Sequence, residues 1–207
     1  MDTAVQKRAA PIDDSCGLPI VLRLRPALDL TEEQFFELCQ INRELWIERN
    51  AEGQLVIMAP AGWETADREA EITMQLRQWA KRDQTGVVTS SAAGFRLPNG
   101  AVRAPDAARV LKTRLATVPP EQRKQFLPLC PDFVLELRSP TDRLQDLQAK
   151  MVEYVANGAR LGWLLDPEAR QVYVYRPGAA VERLEGPETI AGDPVLPGFV
   201  LDLKEIW

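Results

Sequence analysis

Along Pro131–Arg138 apolar and polar positions alternate. Phe133, Leu135 and Leu137 fall on one side, and Asp132, Val134, Glu136 and Arg138 on the other, which is the two-residue period of a strand. Leu45–Glu48 and Gln54–Ala59 alternate in the same way around Glu52-Gly53, a hairpin signal. Gln171–Tyr175 alternates too, while Leu161–Leu165 is an unbroken apolar run suited to a strand buried on both faces. Gly86–Ser90, Gly94–Leu97 and Val102–Leu111 predict three further strands, the last two joined by a turn at Leu97–Gly100.

Helical spacing appears elsewhere. Thr31 followed by Glu32, Glu33 and Gln34 predicts an N-cap and a helix to about Ile41. Ile72, Leu76 and Trp79 form the stripe of a helix over about Trp63–Arg82. Leu144, Leu147, Met151 and Val155 do the same for a helix from Thr141 or Asp142 to about Asn157, stopped by Gly158. Thr113–Gln125 is polar and helical in part, and a Pro/Gly-rich strand–turn segment closes the chain. Helices interspersed among strands predict an α/β fold with a mixed sheet. Residues 1–20 read as a flexible tail and residues 21–207 as a single domain.

Composition narrows the chemistry. Of 207 residues none is histidine, so histidine triads and His–zinc sites are excluded, and a catalyst must rest on carboxylates, Lys, Tyr, Ser, Cys or a hard ion. Cys16, Cys39 and Cys130 are odd in number and far apart, which suits neither a disulfide framework nor a metal knuckle. The net charge of −5 argues against a broadly basic nucleic-acid-binding surface. Arg103, Arg109, Lys112 and Arg114 form a local basic run that is either a phosphate-facing patch or a solvated face. No apolar run reaches the roughly 18 residues of a membrane span, and the N-terminus lacks a signal-peptide core. A cytoplasmic protein without membrane contact is expected.

The acids then become informative. Asp132 and Glu136 share a strand face, but four residues separate their Cα atoms by about 13 Å, too far to hold one small ion together. Asp106, on the predicted face of Val102, Ala104, Ala108 and Val110, is the better partner, since neighbouring strands lie only about 4.8 Å apart. A carboxylate on such an apolar face is costly unless paired or bound to a metal. Pro105 before it marks an edge or bulge. Asp132 reads as a structural acid at the start of its strand. Lys150 lies roughly 60° from Leu147 around the helix, where it either snorkels to water or reaches over the sheet to Glu136.

The segments PAGWETADREAEI, GFRLPNGAVRAPDAARV, PDFVLELRSPTDRLQDLQAKMVEYVANGARLGWLLDPEARQVYVYRPG and LPGFVLDL resemble the bacterial Uma family of endonucleases. That family is similar to the PD-(D/E)XK restriction-endonuclease-like superfamily. The likeness runs from about Leu30 to the C-terminus. It implies a restriction-endonuclease-like core, a mixed β-sheet flanked by helices, here with an N-terminal helix–hairpin and a C-terminal β extension. It also implies a Mg²⁺-dependent DNA endonuclease, with Mn²⁺ as a substitute ion and a homodimer as the working form. On this resemblance Asp106 and Glu136 bind the metal, and Lys150 supplies the lysine that the motif places two positions after Glu136, where this chain has Arg138. Arg138 becomes a phosphate ligand. An acid of the first core helix completes the site: Glu71 is the choice, over Glu64 and Glu69. Two other readings compete, a non-catalytic binding or assembly module on the same fold and a hydrolase of another phosphodiester.

Overall fold

The computed structural model describes residues 19–207, so the expected tail over 1–20 lies almost wholly outside the described residues. In chain order the elements are β1 (Ile20–Leu22), α1 (Glu32–Ile41), β2 (Trp46–Arg49), β3 (Leu55–Met58), α2 (Trp63–Asp83), β4 (Gly86–Ser90), β5 (Phe95–Arg96), β6 (Val102–Arg103) and β7 (Ala107–Leu111). There follow α3 (Lys112–Ala116), β8 (Phe133–Leu137), α4 (Leu144–Ala156), β9 (Leu161–Asp166), β10 (Gln171–Tyr175), β11 (Glu182–Glu185), β12 (Thr189–Ala191) and β13 (Val200–Asp202). A single 3₁₀ turn, Gln122–Lys124, interrupts the polar stretch before β8.

Six strands form the main sheet in the order β11-β10-β9-β8-β7-β4. Only β8 and β9 run parallel; the α4 crossover joins them, and every other pair is antiparallel. All five residues of β8 are buried because both faces are covered. Phe133, Leu135 and Leu137 pack with Ile72, Leu76 and Trp79 of α2 and with the C-terminal Phe199, Leu201 and Leu203. Val134 faces Met151 and Tyr154 of α4. Gly162 of β9 lets α4 approach closely: a Cβ there would stand 2.5 Å from the Met151 Cε.

The second sheet has five strands in the order β1-β3-β2-β6-β5, and β12 and β13 form a separate ladder. Helix α1 covers one face of the five-stranded sheet, with Phe35 packed on Leu55 and Val102. Its N-terminus carries the full capping box, Thr31 Oγ1 accepting from Gln34 N–H and Gln34 Oε1 accepting from Thr31 N–H.

Two predicted elements change. The strand expected over Val102–Leu111 is two strands, because the chain leaves the small sheet after Arg103 and joins the large one at Ala107. Pro105 lacks a ladder donor, and the Ala104 N–H is taken by a side chain, Glu48 Oε1, at 2.9 Å. The helix expected from Thr141 begins at Leu144. Asp142 caps a tight turn instead, accepting from Ser139 N–H at 2.8 Å and from Ser139 Oγ at 2.6 Å.

Candidate active site

The crossing from one sheet to the other sets the site. Strand β7 pairs with β8 antiparallel, Ala107 opposite Leu135 and Ala108 opposite Val134. One further step in that register sets Asp106 opposite Glu136. Asp106 Oδ2 accepts from Leu137 N–H at 2.7 Å, which ties the half-buried acid to the residue after Glu136. Glu136 is 3 % exposed, and its Oε1 accepts from Lys150 Nζ at 3.0 Å and from Tyr154 Oη at 3.0 Å.

Lys150 does not snorkel. Its side chain is 12 % exposed, and the ammonium bridges Glu136 and Glu48 Oε1, the latter at 2.9 Å. Glu48 enters from β2 of the small sheet and is itself buried. Its Oε2 accepts from Arg103 Nη1 at 3.0 Å, and Arg103 Nε reaches Glu153 at 2.6 Å. Glu48 carries no local sequence signal, since an acid at an alternating position of a hairpin reads as its wet face. Tyr154 was findable: it stands one helical turn after Lys150, the spacing at which side chains share a face.

The acids of this cluster are not equally satisfied. Burial opposes ionisation of Glu48, but Lys150, Arg103 and the Ala104 N–H outweigh it, so its pKa lies below the ordinary value. Glu136 has only a share of Lys150; burial, with Asp106 and Glu48 close by, pushes it up to about 8. Burial and the neighbouring Glu69 push Asp106 up to about 7, against the pull of the Leu137 N–H and Lys150. Lys150 loses solvation, yet Glu136 and Glu48 hold its pKa above the ordinary value. It stays a cation and is no general base.

The helix acid coupled to this centre is Glu69. Burial raises its pKa, and Glu136 and Asp142 raise it further. Glu71 instead accepts from Gln75 Nε2 at 2.8 Å, and Gln75 turns to the backbone of Asp202 in the C-terminal ladder. Glu64 is exposed and pairs with Arg68. The helical wheel already favoured Glu69, on the apolar stripe, over Glu71, about 100° away.

Arg138 is committed elsewhere: Nη1 pairs with the buried Asp166 at 2.8 Å, and Nε donates to the Asp142 carbonyl at 3.3 Å. The basic run is also no patch. Arg103 is enclosed by Glu48 and Glu153, and Arg114 pairs with Asp132 at 3.0 Å. Arg109 is buried over the Trp79 ring, with Asp83 at 3.0 Å. Burial raises the Cys39 thiol to about 11 and the Cys130 thiol to about 12, which leaves both protonated.

Could this arrangement hold a divalent ion? Among the described residues no three Asp, Glu or Cys side chains form a ready-made cage. Mg²⁺, however, commonly takes one or two carboxylates and keeps several waters. No described residue hydrogen-bonds Asp106 Oδ1 or Glu136 Oε2. With all four ionised, Asp106, Glu136, Glu48 and Glu153 would face two cations among the described residues, Lys150 and Arg103, a deficit of two positive charges that a bound cation would offset. The donor set is all oxygen. It fits a hard dication. Two open grooves, of about 440 Å³ against α4 and β10 and about 320 Å³ beside Glu32 and Arg49, contain none of Asp106, Glu136 and Lys150.

A mixed sheet flanked by helices, with Asp106 facing Glu136 where β7 meets β8, defines an α/β protein. A crystal structure described as "a putative nuclease belonging to DUF820", from Anabaena variabilis, shares this fold. It matches with a TM-score of 0.72 at 18 % identity, over 86 % of this chain and 97 % of that one. Residues 32–204 match the Uma2 family, described as "Putative restriction endonuclease", and the chain belongs to that family. No curated protein matches. Among the described residues no helix is long and apolar enough to cross a membrane.

Proposed function

We propose that this protein is a Mg²⁺-dependent DNA endonuclease, with Mn²⁺ as a substitute ion, and that Asp106, Glu136 and Lys150 carry its chemistry. The observation that supports this best is the buried Lys150 ammonium 3.0 Å from Glu136, with Asp106 anchored to the next backbone N–H. Asp106 and Glu136 would hold the ion through their oxygens that lack a partner among the described residues, and Glu69, coupled to both, takes the place of Glu71 as the helix acid. When bound, the metal lowers the pKa of a coordinated water and polarises the phosphoryl group. Lys150 supplies positive charge against the phosphoryl oxygens as negative charge develops there. Glu48 and Tyr154 are positioning residues: the first holds the ammonium from the opposite side, and the second fixes the Glu136 rotamer. Arg138, bound to Asp166, is left out of phosphate binding.

The test is cleavage of plasmid and single-stranded DNA by the purified chain with Mg²⁺ or Mn²⁺. Activity lost with EDTA and in Glu136→Ala supports the reading. Cleavage that survives Glu136→Ala assigns the chemistry to other residues, and absence of cleavage in every condition favours a non-catalytic module.

A further inference from the structure

The five-stranded sheet has two unlike faces. Ile47, Leu55 and Val102 lie under α1. The opposite face follows from strand register: Trp46 pairs with Met58, Glu48 with Val56, and Val21 with Val56. These side chains therefore form one surface, Glu48 at its inner end and Trp46 two residues away, about 6.6 Å along the strand. Glu48 is 3 % exposed beneath Lys150, whereas Trp46 is 41 % and Val21 47 % exposed, with Val56 and Met58 half-buried. An apolar, aromatic shelf thus runs outward from the candidate catalytic centre on the same strand that supplies Glu48.

The exposed indole, and not the charge pattern, says what suits it. Duplex binding rests on cations that neutralise backbone phosphates. Around this centre Arg103, Arg109, Arg114, Arg138 and Lys150 are all held in ion pairs. The chain as a whole carries −5. A single strand needs its phosphates neutralised as a duplex does, so charge does not choose between them; an exposed indole beside the centre does, since it offers a face on which only an unpaired base can stack, whatever its identity. Paired bases inside a duplex present no free face to it.

We propose that the open face of the small sheet, centred on Trp46 with Met58, Val56 and Val21, is a stacking shelf for unpaired bases of a single-stranded nucleic acid led to the Asp106–Glu136 centre. The proposal deepens the nuclease reading and rests on it for the direction in which the strand runs. It makes the preferred substrate single-stranded or frayed.

The experiment uses the full chain and fluorescence anisotropy in metal-free buffer, with labelled dT15, rU15 and a 15-base-pair DNA duplex as probes, alongside cleavage of the same oligonucleotides with Mn²⁺. Tighter binding of the single strands is expected, with Trp46→Ala weakening it about tenfold and Trp46→Phe staying within about threefold. The dT15 and rU15 arms separate DNA from RNA. In cleavage, Trp46→Ala should raise KM for the single strand more than it lowers kcat. Duplex binding as tight as single-strand binding, or single-strand affinity equal in Trp46→Ala and wild type, overturns the shelf. So does a loss of self-association in Trp46→Ala, seen by sedimentation, without loss of oligonucleotide binding, since a second copy then covers the face. Trp46-dependent binding without metal-dependent cleavage overturns the nuclease reading and keeps the shelf. Glu136-dependent cleavage indifferent to Trp46 does the reverse.

Discussion

Asp132, just before the buried strand β8, and Glu136, within it, stand four residues apart and meet opposite surroundings. Asp132, 1 % exposed, accepts from Leu111 N–H at 2.8 Å and pairs with Arg114, while its own backbone joins Arg109 on one side and Arg160 on the other. Its carboxylate ties the end of β7 and Arg114 of α3 to the start of β8, and its backbone carbonyl joins β9. Glu136, 3 % exposed, shares one ammonium with Glu48, faces Asp106 and keeps an oxygen without a hydrogen-bond partner among the described residues. A buried acid with one oxygen on a backbone N–H and the other against a guanidinium tells of architecture. One left short of positive charge is, under the proposed function, the place for a bound cation.

Four substitutions probe that contrast. Under the proposed function, Glu136→Gln or Asp106→Asn should lower metal-dependent cleavage about a thousandfold, the loss of several kcal/mol of charge stabilisation, measured as initial rates on plasmid. Lys150→Met should cost about a hundredfold in kcat, with KM moving less. Asp132→Ala should instead destabilise by about 2 kcal/mol, because it strands the buried Leu111 N–H. That is about 4–8 °C in thermal midpoint for a chain of this size, with the specific activity of folded protein retained. A loss of activity larger than the loss of folded protein would break the contrast.

The smallest effect concerns pH. A carboxyl whose folded pKa stands at about 8, against an ordinary 4.5, binds its proton more tightly in the folded than in the unfolded chain. Its contribution to metal-free stability therefore falls as pH rises from the ordinary carboxylate range toward 8 and levels off above it. Glu136→Gln, which keeps an acceptor for Lys150 and Tyr154, should melt a few degrees higher than wild type at pH 8.5 and nearly together with it at pH 5. A lower melting point at pH 8.5 would mean that the ion pair with Lys150 outweighs the repulsion. Glu69→Gln, and not Glu71→Gln, should weaken Mn²⁺ binding by calorimetry, about tenfold.

Much of this was legible in the chain itself. The two-residue period of Phe133–Leu137 and the stripe Ile72, Leu76, Trp79 depend on local pattern, and they placed the central strand and its covering helix. The opposition of Asp106 to Glu136 could be argued from strand spacing alone. Three things depended on tertiary detail. Pro105 announced an irregularity, but not that the chain changes sheets there. Glu48 joins the cluster only because β2 of one sheet comes against α4 of the other, and no window of sequence holds both. Arg109, in a basic run, reads as a surface charge until Trp79 and Asp83 are seen to enclose it.

Glu48 belongs to the small sheet, while Glu136 and Lys150 belong to the large one and its helix. The lysine is thus a latch across a seam. Native chains open in parts, and such openings cost less than global unfolding. Any excursion that parts β2 from α4 takes Glu48 off the ammonium before the core melts and leaves Glu136 to hold it from one side. Under the proposed function, a half-assembled or partly opened molecule carries a cation drawn onto Glu136 from one side only, and a cell making this protein meets a cutting edge only once both sheets have shut.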